Sequence, residues 1–207
     1  MPDLSKIYLY RMTHIENIPH ILQYGITHVD SPEANTAYVP IGDGSLISRR
    51  NDFALPNRRS LGEYIPFYFG VRMPMLYAIQ NGYNVVKITP AEEIVYCITS
   101  VQQIINQQLD FLFTDGHALD SFSSFYSLAD TNSIEQHIDQ NAIKSTFWKD
   151  ENDLDLKRRK EAEFLVGNDI PIAAILGFAV YNESSKNRLI NFGIAENKVI
   201  IKTGFYF

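Results

Sequence analysis

The chain has 207 residues, 45% of them hydrophobic and 20% charged, with a formal net charge of −6 and a single cysteine. That length and balance suit one globular domain with its own core, and they exclude a disordered, collagen-like or disulfide-stapled chain. An acidic chain is also a poor indiscriminate binder of polyanions, because such binding draws its affinity from many Lys/Arg–phosphate contacts.

In chain order, "MPDLSKIYLY" lacks a basic region followed by an apolar one, so no secretion signal is expected. "THIENIPHILQYGI" places Ile15, Ile18, Ile21 and Leu22 at helical spacing, with Thr13 and Glu16 as a capping box and Gly25 as the stop. Asp30 to Arg59 is rich in Pro, Gly, Asn and Ser and reads as a long loop around one short element at "SLISRR". "YIPFYFGV" and "NVVKITP" read as strands, and "RMPMLYAIQNG" between them as a helix with Pro74 in its first turn. "IVYCIT" is a further strand containing Cys97, which reads as a core residue in a reducing setting.

"SVQQIINQQLDFLFT" reads as mostly helical, and "SIEQHIDQNAI" as a helix ending near Trp148. "AEFLVGNDIPIAAILGFAVYN" gives two strands around the Asn168–Asp169–Pro171 turn, "ESSKNRLINFGI" a short helix and "KVIIKTGFYF" a last strand. Its longest apolar stretch, "IPIAAILGFAVY", is about half of what a membrane-spanning helix needs. Strands and helices do not alternate strictly, so the expected class is α+β, or mixed α/β, in one domain over residues 1–207.

Several common sites are missing. "IGDGSLI" has Ile47 where a dinucleotide fingerprint needs its third glycine, and its flanks read as loop. No P-loop, nucleophile elbow or helical His pair with an intervening Glu occurs. The unusual stretch is "KRRKEAEFLV", which sets Glu161 and Glu163 directly behind four cations. If "EAEFLV" begins a strand, both carboxylates share one face, and two like charges that close need cations or hydrogen bonds to offset them. The pair fits either the solvated end of a helix or a carboxylate site that stabilises a sugar cation.

Four blocks, "YRMTHIENIPHIL", "GEYIPFYFGVRMPMLYAI", "FLFTDGHA" and "KRRKEAEFLV", occur in an order that resembles the DarT family of DNA ADP-ribosyltransferase toxins over nearly the whole chain. The resemblance implies an ADP-ribosyltransferase fold with a split central β-sheet and flanking helices, gripping NAD as co-substrate and needing no metal. It implies transfer of ADP-ribose to a base, thymine, of single-stranded DNA in a bacterial cytoplasm. It also implies a macrodomain antitoxin as partner and a role in growth arrest or phage defence.

Residue by residue, the resemblance makes Glu163 the catalytic glutamate and "SLISRR" the source of a catalytic arginine, Arg49 or Arg50, with a gapless match favouring Arg50. His14 and Asn17 in "MTHIEN" match NAD-contacting positions, and Tyr68 and Met75 match the wall at the nicotinamide end. His117 matches a position near the acceptor nucleotide, with no second His or Cys at ligand spacing for a metal. Lys157, Arg158, Arg159 and Lys160 would meet phosphates, and Phe122, Phe125, Tyr126 and Trp148 would stack unpaired bases. The family position two before the catalytic glutamate is often glutamine, whereas here it is Glu161. An E-x-E pair is associated with modification of protein arginine, so RNA bases and protein arginine remain alternative acceptors.

Overall fold

The computed structural model describes residues 2–55, 57–83 and 86–207. Its strands are β1 (Tyr8–His14), β2 (Tyr64–Tyr68), β3 (Ile94–Ser100), β4 (Phe111–Thr114), β5 (Phe125–Tyr126), β6 (Glu163–Gly167), β7 (Gly177–Val180) and β8 (Val199–Ile201). Its helices are α1 (Ile18–Tyr24), α2 (Gly44–Asp52), α3 (Pro74–Asn81), α4 (Val101–Asn106), α5 (Ile134–His137), α6 (Gln140–Lys144), α7 (Leu156–Lys160) and α8 (Glu183–Asn191). The strands form one sheet in the order β5-β4-β6-β2-β1-β3-β7-β8. Its pairs are antiparallel apart from β7–β8.

Period-two alternation assigns each strand two faces. Ile65 and Phe67 of β2, Val95 and Cys97 of β3, and Phe164 and Val166 of β6 bury into the larger core beneath α1 and α4. Burial pushes the Cys97 thiol up to about 12, as befits an inert core cysteine. The opposite face carries two smaller clusters, one around Met12, Tyr68, Leu76, Ile94 and Tyr96, the other around Leu55, Leu61, Tyr64, Ala118 and Leu165. Glu163 shares the face of Leu165 and stands where these two clusters part, which opens the site described below.

The sheet is nearly split between β1 and β2. β1 pairs with β3 along its whole length, from Tyr8–Ser100 to His14–Ile94, but meets β2 through the pair Tyr10–Tyr68. Pro66 supplies a sequence-level reason. Its carbonyl faces β1, where it accepts from Arg11 Nη1 at 3.0 Å, so the N–H that proline lacks is also lacking on that side. A side chain therefore replaces a rung of backbone ladder at the seam.

Several expectations are corrected. Thr13 belongs to β1, and the cap is His14, whose Nδ1 accepts the Glu16 N–H to open a 3-10 turn over Ile15–Asn17 ahead of α1. The Glu16 side chain pairs with Arg188 instead of closing a capping box. "FLFT" is strand β4, because alternate Phe111 and Phe113 fill the larger core. Residues 86–90 of "NVVKITP" form no strand, and Asn84 and Val85 lie outside the described residues. "SIEQHIDQNAI" breaks into α5 and α6, since the Asp139 carboxylate caps the second by accepting from Asn141 and Ala142 N–H. β6 and β7 both form, but β2, β1 and β3 lie between them. "KVIIKTGFYF" keeps strand structure only at β8 before a 3-10 turn over Thr203–Phe205. No described helix is long and apolar enough to cross a membrane.

Gly25 ends α1 as expected, at φ 84° and ψ −168°, a region reserved for glycine. A Cβ there would also lie 2.1 Å from the Ile170 carbonyl oxygen, inside the Ile26–Ile170 bridge. Gly25→Ala is expected to lower urea-unfolding stability by roughly 2 kcal/mol or more. Gly193, at φ 100° with nothing within 4 Å of its Cβ position, carries only the backbone strain, so Gly193→Ala should cost about half as much. Equal losses at the two sites would show that the bridge contributes nothing.

Candidate active site

Glu163 opens β6 with no exposed surface, and its neighbours consume both carboxylate oxygens. Oε2 accepts from Arg50 Nη1 at 2.8 Å and Oε1 from the backbone N–H of Ala118 at 2.9 Å. The backbone is fixed as well, because Glu163 N–H donates to Thr114 Oγ1 at 3.0 Å while that hydroxyl donates to the Gly116 carbonyl at 2.6 Å. A buried charge survives only with such partners, and removing one would strand the other. Arg50 reaches the carboxylate from α2, whose first turn is capped by Asp43 accepting Ser45 N–H. Its Nη2 is buried without a hydrogen-bond partner, an open donor beside the carboxylate.

Above this pair lies a cavity of about 700 Å³, bordered among others by Arg49, Tyr68, Met75, His117, Lys157 and Glu161. Its volume suits a cofactor-sized ligand. Arg49 and Arg50 therefore take different places: Arg49 lines the cavity while Arg50 holds Glu163 beneath its wall. Tyr68, the cross-strand partner of Glu163, donates its hydroxyl to Met75 Sδ at 3.7 Å. Burial, then Glu163 and Glu161, push the Tyr68 phenol far up, so it remains an O–H donor.

Burial lowers the pKa of His117 against the opposing pull of Glu163, which keeps the ring neutral at pH 7. Its Nδ1 accepts the Leu119 N–H at 3.2 Å, so the neutral ring carries its hydrogen on Nε2. Glu161 is not a strand residue: it is the C-cap of α7, and β6 begins two residues later. Its carboxyl nevertheless borders the cavity, and burial raises its pKa to about 7, with Glu163 adding to the effect and Lys157 opposing it.

The basic run is divided. Lys160 is buried, its ammonium donating to the Ile143 and Ser145 carbonyls, so it ties α6 to α7 and faces no phosphate. Arg158 pairs with Asp155 at 2.7 Å and Asp115 at 3.0 Å, and Arg159 pairs with Asp139, Asp153 and Asp155. Lys157 is exposed at the cavity rim and makes no ion pair among the described residues. Of the four aromatics, Phe125 stacks on Phe53, Tyr126 on Phe113 and His137, and Trp148 packs edge-on against Tyr77 and Phe207. Phe122, 82% exposed on the cavity rim, keeps a free face.

At the other end, His14 Nε2 lies 3.2 Å from Glu93 Oε2. Asn17 is buried and spends its amide internally, donating to Thr13 Oγ1 and the Val39 carbonyl and accepting Val39 N–H. It therefore fastens the 30–43 loop to β1. Residue types could not disclose the Ala118 N–H, since it is a backbone group, and Thr114 has no distinguishing pattern in the sequence. No group of three or more His, Cys, Asp or Glu among the described residues is arranged to hold a metal.

A family model described as "ssDNA thymidine ADP-ribosyltransferase, DarT" matches residues 10–207. A DNA ADP-ribosyl transferase of Escherichia coli O127:H6 (strain E2348/69 / EPEC) is 30% identical over 209 residues, covering 98% of this chain and 94% of that protein. The structure of Thermus sp. 2.9 DarT in complex with ADP-ribosylated ssDNA matches with a TM-score of 0.84 and 29% identity, over 100% of this chain and 98% of that one. The same Thermus protein in complex with NAD+ matches with a TM-score of 0.80 at 28% identity, over 100% and 99%. A DNA ADP-ribosyl transferase-DNA ADP-ribosyl glycohydrolase fusion protein of Thermosipho africanus (strain H17ap60334) is 31% identical over 159 residues, covering 76% of this chain and 38% of the fusion. With its fold, its sequence blocks and the near-complete family match in agreement, the chain belongs to the DarT family of ssDNA thymidine ADP-ribosyltransferases.

Proposed function

We propose that this chain transfers ADP-ribose from NAD to thymine in single-stranded DNA, releasing nicotinamide, with Glu163 as the group that stabilises the sugar cation. The observation that carries this reading is a fully buried carboxylate, clamped by Arg50 and the Ala118 N–H, beneath a cavity in a DarT-family chain.

The nicotinamide–ribose bond breaks with its electron pair leaving on nicotinamide, which neutralises the pyridinium and leaves positive charge on the ribose. A preorganised carboxylate lowers the energy of that charge without reorganising at the moment of reaction. The imide N–H of thymine passes its proton to Glu163 as the nitrogen bonds to the ribose carbon. The unpartnered Arg50 Nη2 suits a ribose hydroxyl or phosphate oxygen, and Arg49 suits the pyrophosphate. Tyr68 and Met75 offer the apolar wall for nicotinamide, and His117 Nε2–H faces the acceptor side. His14 and Asn17 lie outside the cavity lining, and Asn17 supports the NAD site by fastening the 30–43 loop, whose Asp43 borders the cavity. Lys157 and Phe122 are the contacts for DNA phosphate and base.

Burial of Glu161 weighs against a protein arginine as acceptor, since a carboxyl held partly neutral at pH 7 attracts a guanidinium poorly. The fusion in Thermosipho couples transferase and glycohydrolase in one chain, which supports a macrodomain glycohydrolase antitoxin as the partner that opposes this transferase. We place the pair in the bacterial cytoplasm, in growth arrest or phage defence.

Incubation with NAD labelled in its adenylate half and a mixture of single-stranded DNA, RNA and protein should label thymine-containing DNA alone. Label on RNA or protein instead would overturn the reading. Glu163→Gln keeps the amide oxygen for the Ala118 N–H but removes the charge, so kcat should fall by roughly 10² to 10³. A loss of only a few-fold would remove Glu163 from the chemistry.

The divided basic run generates a separate expectation. Lys157→Ala should reduce the slope of log affinity for single-stranded DNA against log salt by about 0.7, one phosphate contact. Arg158→Ala and Arg159→Ala should instead cost stability, up to about 1 kcal/mol each, and leave that slope in place. A slope flattened by either arginine change to the extent seen for Lys157→Ala would restore the whole run as a phosphate strip.

A further inference from the structure

We propose that Glu161 reads the acceptor thymine as a neutral carboxylic acid, donating its O–H to an imide carbonyl oxygen, which ties DNA transfer to the protonated form of this residue. The proposal deepens the thymine reading above and rests on it.

The geometry isolates the Glu161 carboxyl from compensation. The residue is 8% exposed and borders the cavity, and its carboxyl has no hydrogen-bond partner among the described residues. Its backbone is fixed, since the N–H donates to the Lys157 and Arg158 carbonyls at 3.2 and 3.1 Å as α7 ends. Arg50 is committed to Glu163, and the cations that act on Glu161, Lys157 first and then Lys160, make no ion pair with it among the described residues. On its own helix, Lys160 donates to backbone carbonyls and Lys157 stands in solvent at the rim. Asp120 and His117 from the 115–122 loop and Tyr68 from β2 bring one further negative charge, a ring that burial keeps neutral and a phenol. Arg49 lies on the α2 wall of the same cavity. Burial dominates this balance and raises the carboxyl to about 7.

Thymine in DNA presents a carbonyl, one N–H and a second carbonyl on its pairing edge. As the imide proton passes to Glu163 ahead of full N–C bond formation, negative charge spreads onto both carbonyl oxygens until the nitrogen bonds to the ribose carbon. A neutral carboxyl supports that charge with an O–H donor, whereas an ionised one opposes it. No proton leaves Glu161 in this scheme; the imide proton takes the route through Glu163. Cytosine has an amino group where thymine has a carbonyl, so the same O–H would meet a donor and reject it.

The test compares kcat/KM for transfer from NAD to a thymine-containing oligonucleotide between pH 6 and 9 in wild type, Glu161→Gln and Glu161→Ala. Wild type should fall by about tenfold per pH unit above pH 7 as the neutral fraction declines. Glu161→Gln, whose amide donates at every pH, should remove that break and hold a level profile, exceeding wild type at pH 9. Glu161→Ala should be low throughout, with no break. A wild-type profile flat from pH 6 to 9 overturns the proposal. So does a Glu161→Gln profile that breaks at the same pH, or its lack of transfer at pH 6 while NAD still binds. Absence of labelled DNA from wild type at every pH would instead sink the thymine reading itself, so the two failures are distinguishable.

Discussion

A carboxylate with no exposed surface is stable as an anion only if its surroundings replace water, and Glu163 obtains this from Arg50 and the Ala118 N–H. These two partners lie 113 and 45 residues away in the chain, so the site exists only when α2 and the 115–119 turn are both docked on β6. Much of the rest serves that docking. Asp43 caps α2, Thr114 pins the Glu163 backbone, and Arg158 crosses from α7 to Asp115 at the base of the turn. A single point of charge thereby ties three separate segments into one wall.

The near-split of the sheet lies beside the same site, since Tyr68 pairs with Tyr10 on one side and Glu163 on the other. Tyr68 of β2 packs across the seam with Met12 of β1, while Tyr64 of the same strand packs with Leu165 of β6, so the boundary between the two clusters crosses β2. Pro66 withholds an N–H at the seam and Arg11 spans it with a side chain. The face separates into two clusters, with Tyr68 on one side, Ala118 on the other and Glu163 between them. The polar centre thus occupies a gap that packing does not need to fill, so its cost to the core is small.

How much of this could be read from the residues differs by level. Element type was legible where the period was clear, as in β2, β3, β6 and α3, because alternation or a proline-led helical face decides those segments locally. It failed at "FLFT", where four residues join a helical stretch and only the pairing of β4 with β6 makes them strand. The resemblance singles out Glu163, Tyr68, Met75 and His117 through their blocks, and the structure sets Tyr68, Met75 and His117 on one cavity with Glu163 as the cross-strand partner of Tyr68. The Arg49–Arg50 choice was not legible, since adjacent helical residues point about 100° apart and only the docked position of α2 decides which one meets Glu163. The burial of Lys160 and the aspartate partners of Arg158 and Arg159 are not legible for a related reason. Four cations in a row look alike in sequence, while their partners, Ile143, Ser145, Asp115, Asp139 and Asp153, come from elsewhere in the chain.

That redistribution of charge explains how an acidic chain serves a polyanionic substrate. If all four cations faced DNA, affinity would rise with each phosphate contact and would fall on any sequence alike. Here two arginines are paired with aspartates and one lysine is buried against backbone carbonyls, which leaves Lys157 at the rim. Electrostatic attraction to the backbone is correspondingly small. Selection of a substrate then passes to the cavity, where Phe122 can stack an unpaired base and the groups around Glu161 and His117 can test its edge. Duplex DNA keeps its bases stacked and paired, so a site that gains little from phosphates cannot recover the cost of extracting one. Preference for single strands therefore follows from how the basic run is spent inside the protein, as much as from the shape of the cavity itself.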